Sequence, residues 1–164
     1  MTSLAILPIT AADVGFLEAM LVEAAYWRQD TPRPPVAEVL HDPDLAVYLE
    51  GWGRRGDHGL VARVSDGPAG AVWVRSFDRD RHGYGYVDDR IPELTIAVDA
   101  PHRRRGIARC LMSSMLAHQR LNGVPAVSLS VERENPAVTL YAQLGFEVHE
   151  QTSSDQTMVC RLER

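Results

Sequence analysis

The chain has 164 residues, 45% of them hydrophobic, which suits one domain with a sizeable core. Its 17 basic and 22 acidic residues leave a net charge of −5, which argues against nucleic acid as the main partner, because a phosphate backbone rewards a basic face. The start of the chain has no basic run before a long apolar stretch, no window approaches the ~18 apolar residues that span a bilayer, and only Cys110 and Cys160 occur, so a cytoplasmic protein with no membrane partner is expected.

Leu4 to Ile9 is a short apolar run, and Thr10 followed by Asp13 resembles a capping box, so a first helix is expected from about Ala11. Val14, Leu17 and Leu21 give that helix one apolar face, and the proline-rich stretch from Thr31 to Pro35 ends it. Val36 to Trp52 reads as one or two short helices with a break at Asp42-Pro43. Gly59–Val64 and Ala69–Val74 flank Ser65-Asp66-Gly67-Pro68 and predict a hairpin. Residues 78–91, with Tyr84-Gly85-Tyr86 inside, read as a mobile loop of the kind that often covers a site. Glu93–Val98 follows as a strand, 105–121 as a long helix whose Ile107, Leu111 and Met115 share a face, and Ala126–Val131 as another strand. Asn135 as N-cap, Pro136 at the first helical position and Gly145 as the C-terminal stop predict a further helix, and a final hairpin around Ser153-Ser154-Asp155 completes an α/β order with a mixed sheet. No repeat, linker or low-complexity tract interrupts 1–164, so a single domain is expected.

The most informative stretch is the junction after the Glu93 strand. Pro101 cannot continue a ladder, three arginines follow at 103–105, Gly106 lets the backbone come close to a ligand without a side chain between, and the helix that follows directs free N–H groups and its positive dipole end at the turn. A polyphosphate there would meet backbone donors and up to three guanidinium groups. Neither a Gly-x-x-x-x-Gly-Lys-Ser/Thr loop nor a Gly-x-Gly-x-x-Gly turn after a strand occurs, so triphosphatase and dinucleotide-dehydrogenase readings lose support.

Arg103-x-x-Gly106-x-Ala108 resembles the Arg/Gln-x-x-Gly-x-Gly/Ala motif of the GNAT superfamily, the acyl-CoA-dependent N-acyltransferases. Asn135-Pro136-Ala137, Leu140-Tyr141 and Leu144-Gly145-Phe146 resemble that family's second motif, one helix and one strand further on, as the family requires. The departure is Ala108, where glycine is more frequent. The resemblance implies a mostly antiparallel mixed sheet whose central strands splay apart between flanking helices. It implies acetyl-CoA as cosubstrate, with the pyrophosphate on the amides of Arg104, Arg105, Gly106, Ile107 and Ala108, beside Arg103, and the pantetheine along Ile96, Ala97 and Val98. Asn135 would bond the pantetheine or nearby backbone, and the amide of Val98 or a neighbour would polarise the acyl carbonyl.

By the same resemblance the reaction is direct attack of a primary amine on the thioester. An amine with pKa near ~10.4 needs a base at neutral pH, for which Glu93 is the candidate, acting through water; Tyr141 is the candidate acid for the CoA thiolate. The acceptor is a small-molecule or peptide amine, and a homodimer is compatible with the family. The bland readings stand beside these: a solvated arginine run at 103–105, a surface salt bridge for Glu93, a packing role for Tyr141, and core positions for Trp27, Trp52 and an inward-facing Cys110. Tyr84 and Tyr86 are expected to face a ligand. The six histidines show no ligand spacing, so no metal is expected. The alternatives in function are a non-catalytic acyl-CoA-binding or regulatory module on the same fold, or a nucleic-acid binder using the arginines.

Overall fold

A computed structural model describes residues 3–162. In chain order it contains β1 (Ala5–Pro8), α1 (Val14–Ala25), α2 (Val36–His41), α3 (Pro43–Ala46), β2 (His58–Val64), β3 (Gly67–Arg75), β4 (Glu93–Val98), α4 (Ile107–Leu121), β5 (Ala126–Glu132), α5 (Ala137–Gln143), β6 (Phe146–Gln151) and β7 (Asp155–Arg161). The Thr10 amide donates to the Asp13 carboxylate at 2.9 Å, but the residues between form a 3-10 turn, so α1 starts at Val14 and not at Ala11. Proline at the first position of α3 and an Asp42 carboxylate that accepts from the Asp44 amide at 3.0 Å restart the helix after the break. The β2–β3 turn is tighter than expected: Gly67, at φ 121°, already pairs with Val64. Pro68 enters the strand opposite a register shift at Arg63 and before the first β4 partner at Gly70, where its missing N–H costs no ladder bond.

The seven strands form one sheet in the order β1-β2-β3-β4-β5-β7-β6. Every pairing is antiparallel except β4 with β5, which is parallel and holds at one register pair, Glu93 opposite Ser128, with the Ser128 amide donating to the Pro92 carbonyl at 3.0 Å. Past that point the central strands part, and this split creates the site.

Strand alternation divides the core between two faces. Leu94 packs with Leu111, Met112 and Met115 of α4, while Ala97 packs with Leu17, Met20 and Leu21 of α1 and with Trp73. Burying leucine- or methionine-sized side chains contributes about 1.5–3 kcal/mol each, so both faces are held by hydrophobic burial. The buried stripe of α4 runs through Ile107, Leu111, Met112, Met115 and Leu116. Cys110 lies on the far side of that stripe and is exposed, contrary to the inward position expected for it.

Candidate active site

The turn after β4 is built for an anion. Arg104 and Gly106 adopt left-handed backbone angles, φ 63° and 77°, and none of the amides from Arg104 to Arg109 has a hydrogen-bond acceptor among the described residues. The first bond at the head of α4 runs from the Cys110 amide to the Gly106 carbonyl at 3.2 Å. A cradle of unpaired N–H groups at the start of a 15-residue helix attracts negative charge. A Cβ on Gly106 would meet no atom of the described residues within 4 Å, so within the chain it is the positive φ that favours glycine there. A depression of about 260 Å³ lies over this turn, bordered by His102, Gly106, Ile107, Ala108 and Leu140.

The three arginines do not act together. Arg103 Nε donates to the Val98 carbonyl at 3.0 Å and its terminal nitrogen to Glu23 at 2.9 Å, which ties the turn to β4 and α1. Arg104 and Arg105 are exposed and have no carboxylate partner among the described residues.

A cleft of about 1120 Å³ runs from this turn through the split between β4 and β5. Asp99 donates its amide to the Ala69 carbonyl at 2.8 Å, and the Ala97 carbonyl faces Gly70, so the odd-numbered backbone groups here point to β3. Alternation turns the amides of Leu94, Ile96 and Val98 to the β5 side; that of Leu94 is used in the Glu93–Ser128 register pair, and those of Ile96 and Val98 face the gap, where a ligand chain can pair with them. Ala97 borders the cleft without offering its amide. Asn135 accepts from the Ala137 amide at 2.9 Å, so its side-chain oxygen caps α5.

Glu93 lies at the inner end of the cleft and is 2% exposed, which removes the surface salt-bridge reading. Its Oε2 accepts from the Tyr48 hydroxyl at 2.5 Å, and that hydroxyl accepts in turn from the Tyr84 amide at 2.8 Å. Burial pushes the Glu93 carboxyl up from 4.5 to about 7, while the Tyr48 hydroxyl and the nearby Gly85 amide pull it down. Burial and the Glu93 charge hold the Tyr48 phenol well above 10, so it stays protonated and donates. Oε1 of Glu93 and Oγ of its register partner Ser128 are both buried without a hydrogen-bond partner among the described residues.

Two features missed by sequence reasoning hold Glu93 in place. Arg75, 1% exposed, is the β3 register partner of Glu93 and pairs with Asp57 at 2.8 Å. It also donates to the carbonyls of Val47 and Glu50 at 3.0 and 2.6 Å, clamping the segment that carries Tyr48. The 78–91 loop is packed down onto this pair. A Cβ on Gly83 would come within 2.5 Å of both Glu93 Oε1 and the Tyr48 hydroxyl, and one on Gly85 within 2.7 Å of the Leu129 backbone. The alternating glycines were the available signal, because a strand-adjacent glycine often marks close backbone approach.

Tyr141 is 8% exposed on α5 and borders the same cleft; burial pushes its phenol up to about 12. Tyr84 borders the cleft as expected, whereas Tyr86 packs against the second core with Trp52. Trp27, expected in the core, borders the cleft with Arg28 stacked 4.6 Å from its ring. No group of three or more metal-ligating side chains occurs among the described residues.

The sequence profile of the acetyltransferase (GNAT) domain matches residues 55–148, more than half of the chain. The chain belongs to the GNAT acetyltransferases. A mycothiol acetyltransferase of Brachybacterium faecium is 36% identical over 91 residues, which are 54% of this chain and 26% of that protein. The chain thus matches about a quarter of the length of the curated relatives. Among solved structures, a putative acetyltransferase from Salmonella typhimurium with acetyl-CoA superposes with a TM-score of 0.72 at 19% identity, covering 98% of this chain and 95% of the other. PaiA N-acetyltransferase from Thermoplasma acidophilum, in complex with coenzyme A, gives 0.71 at 15% identity over 97% and 99% of the two chains. These likenesses establish the fold: the GNAT sheet with its parted central strands. No helix among the described residues is long and apolar enough to cross a membrane.

Proposed function

We propose that residues 1–164 act as one N-acetyltransferase domain that moves an acetyl group from acetyl-CoA to a primary amine by direct attack. The observation that carries the reading is one cleft that joins unpaired amides at the head of α4, a gap-facing β4 edge, and Glu93 and Tyr141. Acetyl-CoA supplies an activated thioester. The amides of Arg104, Arg105, Gly106, Ile107 and Ala108 hold its pyrophosphate, with Arg104 and Arg105 adding charge. Arg103 acts on the same site by fixing the turn. The amides of Ile96 and Val98 pair with the pantetheine or point at the acyl oxygen, where a donor stabilises the developing oxyanion.

Glu93 accepts the proton that the amine nitrogen loses as it bonds to the acyl carbon, through water. A carboxyl that titrates at about 7 suits a base working near neutrality. Its partnerless Oε1 is free to take the proton. Tyr141 gives its phenolic proton to the sulfur as the carbon–sulfur bond breaks, and a phenol held at about 12 is fully protonated for that step. Thiol release from acetyl-CoA with a panel of amines tests the reading. Tyr141→Phe is expected to lower kcat by roughly a hundredfold to ten-thousandfold, the range for removing a positioned acid, with coenzyme A affinity near that of the parent. An unchanged kcat under chemistry-limited conditions removes Tyr141 as the acid. Coenzyme A binding with no amine consumed favours a non-catalytic module. The chain contains no lysine, so acetyl label on the enzyme itself would report its α-amine and not a side-chain amine.

A further inference from the structure

The cleft is electrically split. Its α4 end carries Arg103 and Arg104, whereas Asp42, Glu93, Glu150 and Asp155 border the remainder and have no arginine partner among the described residues. Glu132 also borders it and pairs at 3.1 Å with Arg28, which it shares with Glu134. Tyr84 marks the mouth of the acidic part. Its backbone is one hydrogen bond from the Tyr48 hydroxyl and so two from Glu93, while its ring is 62% exposed. Asp42 and Asp155 border the same cleft as Tyr84, Asp44 is two residues from Asp42, and partial burial and then the charges of these three carboxylates push the Tyr84 phenol above its ordinary value. Asp42 and Asp44 come from the α2–α3 junction and Asp155 from the start of β7, so the carboxylates approach the mouth from two sides. Deeper in, Glu93 borders the same cleft, its Oε1 buried with no hydrogen-bond partner among the described residues.

A monocationic amine needs one carboxylate here, the base that deprotonates it. Three further carboxylates beside an exposed aromatic face, with no cation among the described residues to pair them, repel one another unless a positive ligand joins them. An aromatic face beside carboxylates is also a good seat for an ammonium group. We propose that the acceptor is a small dication: a primary amine facing Glu93 that carries a second cationic nitrogen held at the Tyr84 mouth by Asp42, Asp44 and Asp155. This inference rests on the acetyltransferase reading above and specifies its substrate class.

The test is thiol release from acetyl-CoA with matched alkyl monoamines and diamines from three to six carbons, at low and high salt. Diamines are expected to have kcat/KM about tenfold or more above their monoamine counterparts, a preference that shrinks at high salt because the contacts are partly exposed. The triple variant Asp42→Asn, Asp44→Asn, Asp155→Asn is expected to bring the diamine-to-monoamine ratio close to one, chiefly through the diamine KM. Equal use of both series by the parent, or a ratio untouched in a variant that still melts cooperatively, overturns the inference while leaving the transferase reading intact. Thiol release with no amine of either series, in protein that binds coenzyme A, sinks both.

Discussion

Removing the Tyr48 hydroxyl tests the proposed base more sharply than removing Glu93 itself. Tyr48→Phe keeps the buried ring, which packs edge-on to Phe77 at 5.9 Å, and deletes the hydroxyl that donates to Glu93 Oε2 at 2.5 Å and accepts from the Tyr84 amide at 2.8 Å. A hydrogen bond to a charged group contributes about 1.5–3 kcal/mol, and about 1.4 kcal/mol corresponds to one pH unit of titration. Losing it disfavours the carboxylate, so Glu93 is expected to titrate not at about 7 but roughly one to two pH units higher. At pH 7 the ionised fraction then falls from about half to between about a tenth and a hundredth, which lowers kcat/KM roughly 5- to 50-fold. The activity should return above pH 9, where the variant carboxyl is again ionised, because a base of higher pKa is intrinsically no weaker. The assay is kcat/KM across pH 5.5 to 10 for parent and variant with one amine, whose own ionisation adds the same limb to both profiles. A profile that loses height without moving would refute the reasoning, for then Tyr48 shapes the site but does not set the titration of the group that limits the rate.

Other consequences follow from the same geometry. Glu93→Gln should abolish most activity at neutral pH yet stabilise the fold there: a carboxyl raised from 4.5 to about 7 binds more protons folded than unfolded, so its protonated form favours folding below pH 4.5 and that contribution is lost as pH rises to about 7. The variant's melting advantage should therefore be near zero at pH 4 and grow to a few kcal/mol by pH 8, on the order of 3; an advantage that is flat with pH would contradict the burial argument. Arg104→Gly should relieve a left-handed backbone angle worth about 1 kcal/mol, raising Tm of the free protein, while weakening coenzyme A binding through loss of one charge. Calorimetry with coenzyme A that gives an unchanged Kd would leave the guanidinium outside the phosphate site. Gly85→Ala places a methyl within 2.7 Å of the Leu129 backbone and 3.0 Å of the Glu93 carboxyl carbon, so the loop must lift. Activity should fall at least about tenfold with stability lowered by about 1–3 kcal/mol, the usual cost of overpacking; parent-like activity would detach the loop from the site.

What the sequence disclosed was whatever local chemistry determines. The β2–β3 hairpin, the glycine at the head of α4 and the Asn135 cap of α5 each depend on a few adjacent residues, and each is where the turn, helix-start and capping rules place it. The same rules cannot follow a guanidinium. Three adjacent arginines look like one phosphate clamp, but an arginine side chain reaches far enough to choose among distant partners, and Arg103 takes Glu23, 80 residues away in the chain. Tyr48 and Arg75 were illegible for a related reason. One sits in a segment without clear periodicity and the other at the end of a strand, where a charge normally faces water; Tyr48 is buried against Glu93, and Arg75 against Asp57 and the carbonyls of Val47 and Glu50, partners distant in the chain. Trp27 and Cys110 were misplaced by composition, since a large aromatic and a small thiol suit a core in general but not on those sides of their segments.

The separation along β4 also constrains how the proton travels. A strand advances about 3.3 Å per residue, so the gap-facing amides of Ile96 and Val98 lie roughly 10 and 16 Å along the strand from the Glu93 backbone. A glutamate side chain recovers only part of that distance, and this one is committed sideways, to Tyr48 on the α1 face. If the acyl oxygen sits at Val98, a single water cannot join the attacking nitrogen to Glu93, and a chain of them must; at Ile96 the link shortens by two residues. The position of the polarising amide and the length of the proton path are thus one geometric quantity. Each residue that places the thioester nearer Glu93 shortens the relay, and the Arg103 bond to the Val98 carbonyl ties the turn to the far end of that path.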